Sequence, residues 1–163
     1  MSKRLNHRVC LASHPVGFPS VNDFSLLKDV APEPAEGEML CRTIYLSLDP
    51  YMRGRMNSGP SYAPGVPVGD VMVGGTVSQV VESKLDGYSE GDIVLTANGW
   101  QEYALSDGTA VRKLDPTGAP ISTALGVLGM PGHTAYVGLL DHGRPKPGDT
   151  VVVSAASGAV GAI

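Results

Sequence analysis

Cysteine is scarce in this chain: 163 residues contain only Cys10 and Cys41. Two thiols cannot build a disulfide scaffold, and both fall in strand-like segments, so the expected state is a pair of buried thiols in a reducing compartment. A surplus of positive charge is also lacking. The formal net charge is -4, and the only basic cluster, Lys3-Arg4 to Arg8, is too short to follow a phosphate backbone, which argues against nucleic acid as a partner. No window approaches the apolar length of a membrane span, and Met1 to Arg8 lacks the hydrophobic run of a signal peptide, so a cytoplasmic location without membrane contact is expected. Histidine is sparse as well. His7, His14, His133 and His142 sit in unlike contexts and read as surface or cap residues, with His133 alone kept as a candidate for chemistry.

What is present is an ordinary globular mixture, 42% hydrophobic and 17% charged, in a length that suits one domain with a sizeable core. Glycine and proline are plentiful, at 21 and 13 residues, and they punctuate short apolar runs. From Asn6 to Ile121 this pattern predicts a β-rich domain. The expected strands are Arg8 to Ser13, Phe24 to Val30, Met39 to Leu48, Val68 to Val81, Asp92 to Ala97, Gln101 to Leu105 and Ala110 to Leu114. In the third, Leu40, Ile44, Leu46 and Leu48 share one face that Arg42 interrupts. Gly74-Gly75 breaks the fourth and predicts a bulge that sharpens the twist of a partly closed barrel. No internal repeat or low-complexity segment is present.

The most informative stretch is Tyr45-Leu46-Ser47-Leu48-Asp49-Pro50-Tyr51-Met52-Arg53-Gly54-Arg55-Met56. An apolar run stops at Asp-Pro; Pro50 pushes Asp49 out of the α region and suits the first position of a helix, so a strand should turn here into a short helix. Such an elbow places Tyr51, with a phenol that can donate or accept, at the mouth of a fold, flanked by the permanently charged Arg53 and Arg55. The alternative is a half-buried tyrosine beside two solvated arginines.

Near Ile121 the period changes. Ile121, Leu125 and Leu128, then Ala135, Leu139 and Leu140, fall at helical spacing on either side of Gly129-Met130-Pro131-Gly132, which predicts two helices with a break whose main-chain groups stay available. Tyr136 reads as helix core. After Pro145 to Asp149, Thr150-Val151-Val152-Val153 is a β-branched run of the kind buried in a parallel sheet. Ser154 to Gly161 then reads as a strand-to-helix turn whose small residues Gly158, Ala159, Val160 and Gly161 let amides approach a pyrophosphate.

The segment Ser-Leu-Asp-Pro-Tyr-Met-Arg-Gly-Arg-Met at 47–56 resembles the signature of zinc-independent medium-chain dehydrogenase/reductases, in the branch of the alkenal, prostaglandin and curcumin reductases. Val71 to Val77, Leu128 to Tyr136 and Val151 to Gly161 agree in the same order, and the likeness is greatest to the bacterial NADPH-dependent curcumin-reductase group. The resemblance implies a mainly β, GroES-like partly closed barrel with a few helices, followed by the first strand of a truncated Rossmann domain. It implies a substrate domain at 1–121, connecting helices at 122–149 and the start of a dinucleotide-binding domain at 150–163. Family members run on for about as long again, so the 163-residue chain alone is expected neither to hold NADPH tightly nor to reduce enones. The activity implied is NADPH-dependent hydride reduction of the C=C bond of α,β-unsaturated ketones and aldehydes.

By the same resemblance, Tyr51 is the catalytic donor or orienter and Tyr62 a second wall of the substrate pocket. Met130 packs on the nicotinamide end, Thr134 offers its hydroxyl there, and Arg53 has a structural or interface role. Zinc-dependent relatives place Gly-His-Glu where this chain has Gly69-Asp70-Val71, so no metal is expected. The small-molecule enone is the expected partner, and pairing with a second copy is compatible with the sequence. Two rivals stand: a quinone reductase of the same fold, and a non-catalytic β-barrel binding module, which should end on a finished element rather than at Gly161-Ala162-Ile163.

Overall fold

The computed structural model describes residues 4–163. Met1, Ser2 and Lys3, the start of the basic N-terminal cluster, lie outside the described residues. The chain divides into a first unit that ends at Leu114 and a second, Asp115–Ile163.

In the first unit, β1 (Leu5–Leu11) and β2 (Phe24–Val30) pair antiparallel, with Leu5 opposite Val30 and Leu11 opposite Phe24. The larger sheet contains β3 (Met39–Leu46), β4 (Thr76–Ser83), β5 (Ile93–Thr96), β6 (Tyr103–Ser106) and β7 (Arg112–Leu114). Its order is β6-β3-β4-β5-β7, with antiparallel neighbours throughout. Isolated bridges from Arg8 to Gln101 and from Cys10 to Val71 tie β1 toward this sheet, giving the partly closed barrel that the turn-rich sequence predicts. Two apolar clusters fill it. Leu11, Met56, Val66 and Met72 form one, with Phe24, Val73 and Trp100 packed on it; Met39, Cys41, Val80 and Val94 form the other. Both cysteines are buried free thiols, and removal from water pushes the Cys41 thiol up to about 11.

The edge strand β6 is closed in an unusual way. The buried Asn6 side chain accepts from the Tyr103 amide at 2.9 Å and donates to the Tyr103 carbonyl at 2.8 Å, so a side-chain amide stands where a neighbouring strand's peptide would. A second polar ring lies between β4 and β5. Thr96 donates to Asn98 at 2.7 Å, Asn98 to Ser78 at 3.2 Å, and Ser78 to Thr76 at 3.2 Å, which satisfies four buried polar residues without water.

Several expectations need correction. β4 begins at Thr76 rather than Val68, because the preceding stretch leaves the sheet for β1: Leu11 donates to the Asp70 carbonyl at 3.0 Å and Met72 to the Val9 carbonyl at 3.0 Å. Gly74-Gly75 therefore precedes the strand. The register shifts fall in β3 at Leu40/Cys41 and Thr43/Tyr45. Those shifts break the alternation, so Met39, Leu40 and Cys41 are all buried while Ile44 is exposed.

In the second unit, a 3-10 turn (Ile121–Leu125) precedes α2 (Met130–Tyr136), which runs on into a π-helical segment, Val137–Gly143. Gly129-Met130-Pro131-Gly132 is not a break between helices but the entry to α2, where Pro131 needs no amide partner. Its main chain is engaged: the Gly132 amide donates to the Gly126 carbonyl at 3.1 Å and that of His133 to Gly129 at 3.0 Å. Tyr136, expected in a helix core, is 61% exposed. The run Thr150-Val151-Val152-Val153 is unpaired and its valines are exposed, since among the described residues no strand lies beside it to complete its hydrogen bonds.

Candidate functional site

The elbow forms as its sequence dictates. β3 ends at Leu46, the Ser47 amide is taken by the Gly75 carbonyl at 2.9 Å, and Pro50 enters with φ -56 and ψ -31, already helical. The single-turn helix α1 (Tyr51–Arg55) follows. Met52 and its one-turn neighbour Met56 are 3% and 4% exposed and root the elbow in the core.

Above these methionines lies an open cleft of about 320 Å³, walled by Leu48, Pro50, Met52, Met56 and Trp100, with Asp49 and Arg53 as its charged margin. Trp100 is held in place by Phe24, the rings stacked at 5.6 Å and 21°. Gly74 lies directly behind this wall. A Cβ there would come within 2.8 Å of Leu46 Cδ1 and 3.2 Å of both Met52 Cε and Trp100 Cδ1, so the absent side chain is what lets these three meet.

Tyr51 shares the adjoining face of α1 with Arg55, one turn on. Its phenol is held above the ordinary tyrosine range, chiefly by burial and then by the negative charge of Asp49, against a pull downward from Arg55, with Tyr62 adding to the rise. The group is therefore a protonated donor throughout the neutral range, and it is close enough to Tyr62 to be affected by it. Tyr62 itself is 81% exposed on the loop that follows α1. Tyr51 adjoins the cleft through its neighbours Pro50 and Met52, and neither Tyr51 nor Tyr62 is part of its lining.

The flanking arginines have definite acceptors. Arg53 donates to the Pro15 carbonyl at 2.9 Å, to the Gly17 carbonyl at 2.8 and 3.0 Å, and to Asn57 Oδ1 at 2.7 Å, fixing the 15–17 loop to α1. Arg55 donates from Nε to the Pro64 carbonyl at 2.6 Å. Sequence reasoning assigned Arg53 a structural role but missed Arg55 as a tether and Trp100 as a wall. A lone tryptophan after an Asn-Gly turn was the available signal for the wall; a carbonyl acceptor carries no sequence signal at all.

Met130, Thr134, Gly158, Ala159, Val160 and Gly161 belong to the second unit. On α2, Thr134 Oγ1 donates to the Met130 carbonyl at 2.7 Å, and the Met130 side chain is half exposed. Residues 154–162 form a series of turns instead of the expected helix start. The Gly158 amide donates to Ala155 at 2.8 Å and the Ala162 amide to Gly158 at 3.0 Å. Among the described residues, the amides of Ala159, Val160 and Gly161 have no main-chain acceptor. Adjacent free amides with small side chains are a donor set that fits a pyrophosphate. Among the described residues, no group of three His, Cys, Asp or Glu side chains converges as metal ligands would. No helix there is long and apolar enough to cross a membrane.

Comparison with known proteins identifies the family. Residues 7–114 match the family described as the N-terminal domain of oxidoreductase. The NADPH-dependent curcumin reductase of Escherichia coli (strain K12) is 56% identical over 160 residues, covering 98% of this chain and 46% of that protein. Prostaglandin reductase 1 of Bos taurus is 44% identical over 156 residues, covering 94% and 45%. The crystal structure of CurA in complex with NADPH from Vibrio vulnificus superposes with a TM-score of 0.89 at 54% identity, covering 95% of this chain and 46% of that one. The chain thus spans about half the length of the curated relatives it matches.

Proposed function

The chain belongs to the family of N-terminal domains of oxidoreductases, and from that premise we propose that it is the substrate-binding part of an NADPH-dependent reductase of α,β-unsaturated ketones and aldehydes. The observation that carries the reading is the half-buried Tyr51, kept protonated beside an apolar cleft on the Asp-Pro-Tyr-Met-Arg elbow. The names of the similar curcumin and prostaglandin reductases support the same substrate class.

NADPH, when bound, would supply the hydride for the β-carbon of the enone, and a proton from water at the α-carbon would complete the saturated product. This chain's residues bind and polarise the enone. The cleft walls of Leu48, Met52 and Trp100 offer the apolar surface on which a conjugated substrate lies and from which water is displaced. Tyr51 donates to the carbonyl oxygen as enolate charge develops there, and Tyr62 closes the opposite side. Met130 would pack against the nicotinamide end, the Thr134 hydroxyl, which donates to the Met130 carbonyl, would keep a lone pair free for it, and the amides of 159–161 would hold the pyrophosphate. The division of labour proposed is a substrate domain at 1–121, connecting helices at 122–149, and the first part of a cofactor domain at 150–163, acting in the cytoplasm.

The test is Tyr51→Phe in the reductase carrying its full cofactor domain. Loss of one preorganised donor is expected to lower enone turnover on the order of a hundredfold with the unfolding midpoint unchanged. An unaltered rate would move Tyr51 out of the chemistry and remove the main support for this reading.

A further inference from the structure

We propose that Arg55 is a positioning residue for substrate, holding the base of the 57–66 loop so that Tyr62 stands opposite Tyr51 across the entering enone. The inference rests on the reading of Tyr51 and Tyr62 as pocket residues.

Three contacts close that loop at its root. The Arg55 guanidinium donates to the Pro64 carbonyl at 2.6 Å, and the Arg55 carbonyl accepts from the Val66 amide at 2.7 Å. Between them the two legs of the loop touch: a Cβ at Gly65 would lie 2.3 Å from the Asn57 carbonyl oxygen, a contact only glycine permits. Val66 is buried in the cluster around Met56, so the returning leg is anchored. Residues 57–62, in contrast, are all exposed. The loop is therefore fixed at its base and free at its tip, and Tyr62 lies two residues from the tethered carbonyl.

Arg55 reaches both tyrosines by different routes. It shares a helix face with Tyr51 at a spacing of four residues, and it holds the Tyr62 loop through Pro64. The bond is charge-assisted and aimed at a main-chain oxygen, so it fixes backbone position independently of the loop's side chains. Arg53, two residues earlier, does the equivalent for the 15–17 loop, so each loop has its own arginine. The gap between the two phenols, and with it the width of enone accepted, is set by the Arg55 tether.

The experiment is a double-mutant cycle in the complete reductase with Arg55→Ala, Tyr62→Ala and both together, assayed with an aromatic enone and with NADPH varied separately. Arg55→Ala is expected to raise the enone KM about tenfold, the loss of one hydrogen bond to a charged group, while kcat and the KM for NADPH stay within about twofold. In the Tyr62→Ala background the same substitution should have no further effect, because the tether then positions nothing. Amide exchange at Val66 should quicken while that at Val80 and Val94 does not. Equal KM losses in both backgrounds, or no loss when Tyr62 is intact, would overturn the proposal and leave the pocket reading standing. If Tyr62→Ala and Tyr51→Phe are both silent, the pocket reading fails with it. Arg55→Lys, which keeps the charge without the Nε donor, supplies the same comparison if the alanine variant does not fold.

Discussion

Filling the space at Gly74 should unseat the wall of the cleft. In Gly74→Ala the added Cβ meets Leu46 Cδ1 at 2.8 Å, inside the contact distance of about 3.5–4.0 Å for carbon pairs, and meets Met52 and Trp100 at 3.2 Å. Leu46 and Met52 offer flexible chain ends that can swing aside. Trp100 offers a rigid ring edge, and Phe24 stacked on its face limits retreat. Gly74 does not have a positive φ, so alanine suffers no backbone penalty and gains from a less flexible unfolded chain. Overpacking of about 1–3 kcal/mol set against an entropic gain of about 0.4–1 kcal/mol leaves a net destabilisation of about 1–2 kcal/mol. That corresponds to a fall in Tm on the order of 5 °C. Urea unfolding followed by the fluorescence of Trp100, the only tryptophan, measures it directly and reports the displaced ring in the folded baseline. The enone KM should rise as well, since Met52 and Trp100 line the cleft. A neutral or stabilising Gly74→Ala with an unmoved Trp100 spectrum would refute the packing argument.

Other outcomes are equally specific. Neither Cys10 nor Cys41 should react with iodoacetamide in the folded protein at pH 8, because both are buried and the Cys41 thiol is raised to about 11; labelling should track unfolding across a urea series, and urea-independent labelling would count against it. Glu102 is held below its ordinary 4.5, first by the His7 amide at 3.0 Å and then by the His7 ring at 2.7 Å. A depressed folded value means this stabilisation is present above about pH 4.5 and fades as pH falls through the folded value, so Glu102→Gln should flatten the acid limb of the stability curve; parallel curves would contradict this. A strong chelator should leave the rate of the complete reductase intact, since the described residues offer no ligand set; loss restored by added zinc would reverse that reading.

The sequence displayed the elbow clearly because Asp-Pro, an apolar run and a single helical turn are local chemistry. In the first unit strand existence was equally legible, since each expected strand became a strand or part of one, whereas Thr150 to Val153 in the second did not. Strand faces were not. The register shifts in β3 depend on how β4 lies against it, and no pattern within Met39 to Leu46 announces a slip. Val68 to Val73 looked like strand because its residues suit one, yet its hydrogen bonds go to β1, a partner about sixty residues distant in the chain. Gly129 to Gly132 was misread because glycine and proline mark both a break and a helix entry, and only the Gly132 bond to Gly126 decides between them. The loop tethers were invisible for a simpler reason, that every residue carries a carbonyl and none advertises which arginine will find it.

The bidentate grip of Asn6 on Tyr103 has a consequence for how this protein meets its own copies. Adding a strand to an open sheet border is the cheapest way for β-rich chains to grow into larger assemblies. Here one border of the five-stranded sheet is occupied at the first residue of its edge strand, Tyr103, by a side-chain amide. The other border is a strand of only three residues, too short for an extended ladder, bearing the charged Arg112 and a Lys113 paired with Asp92 at 2.6 Å. Association through either border of the five-stranded sheet is thereby disfavoured, whereas β2 of the two-stranded sheet has, among the described residues, no partner on its far side and is the border left for backbone pairing.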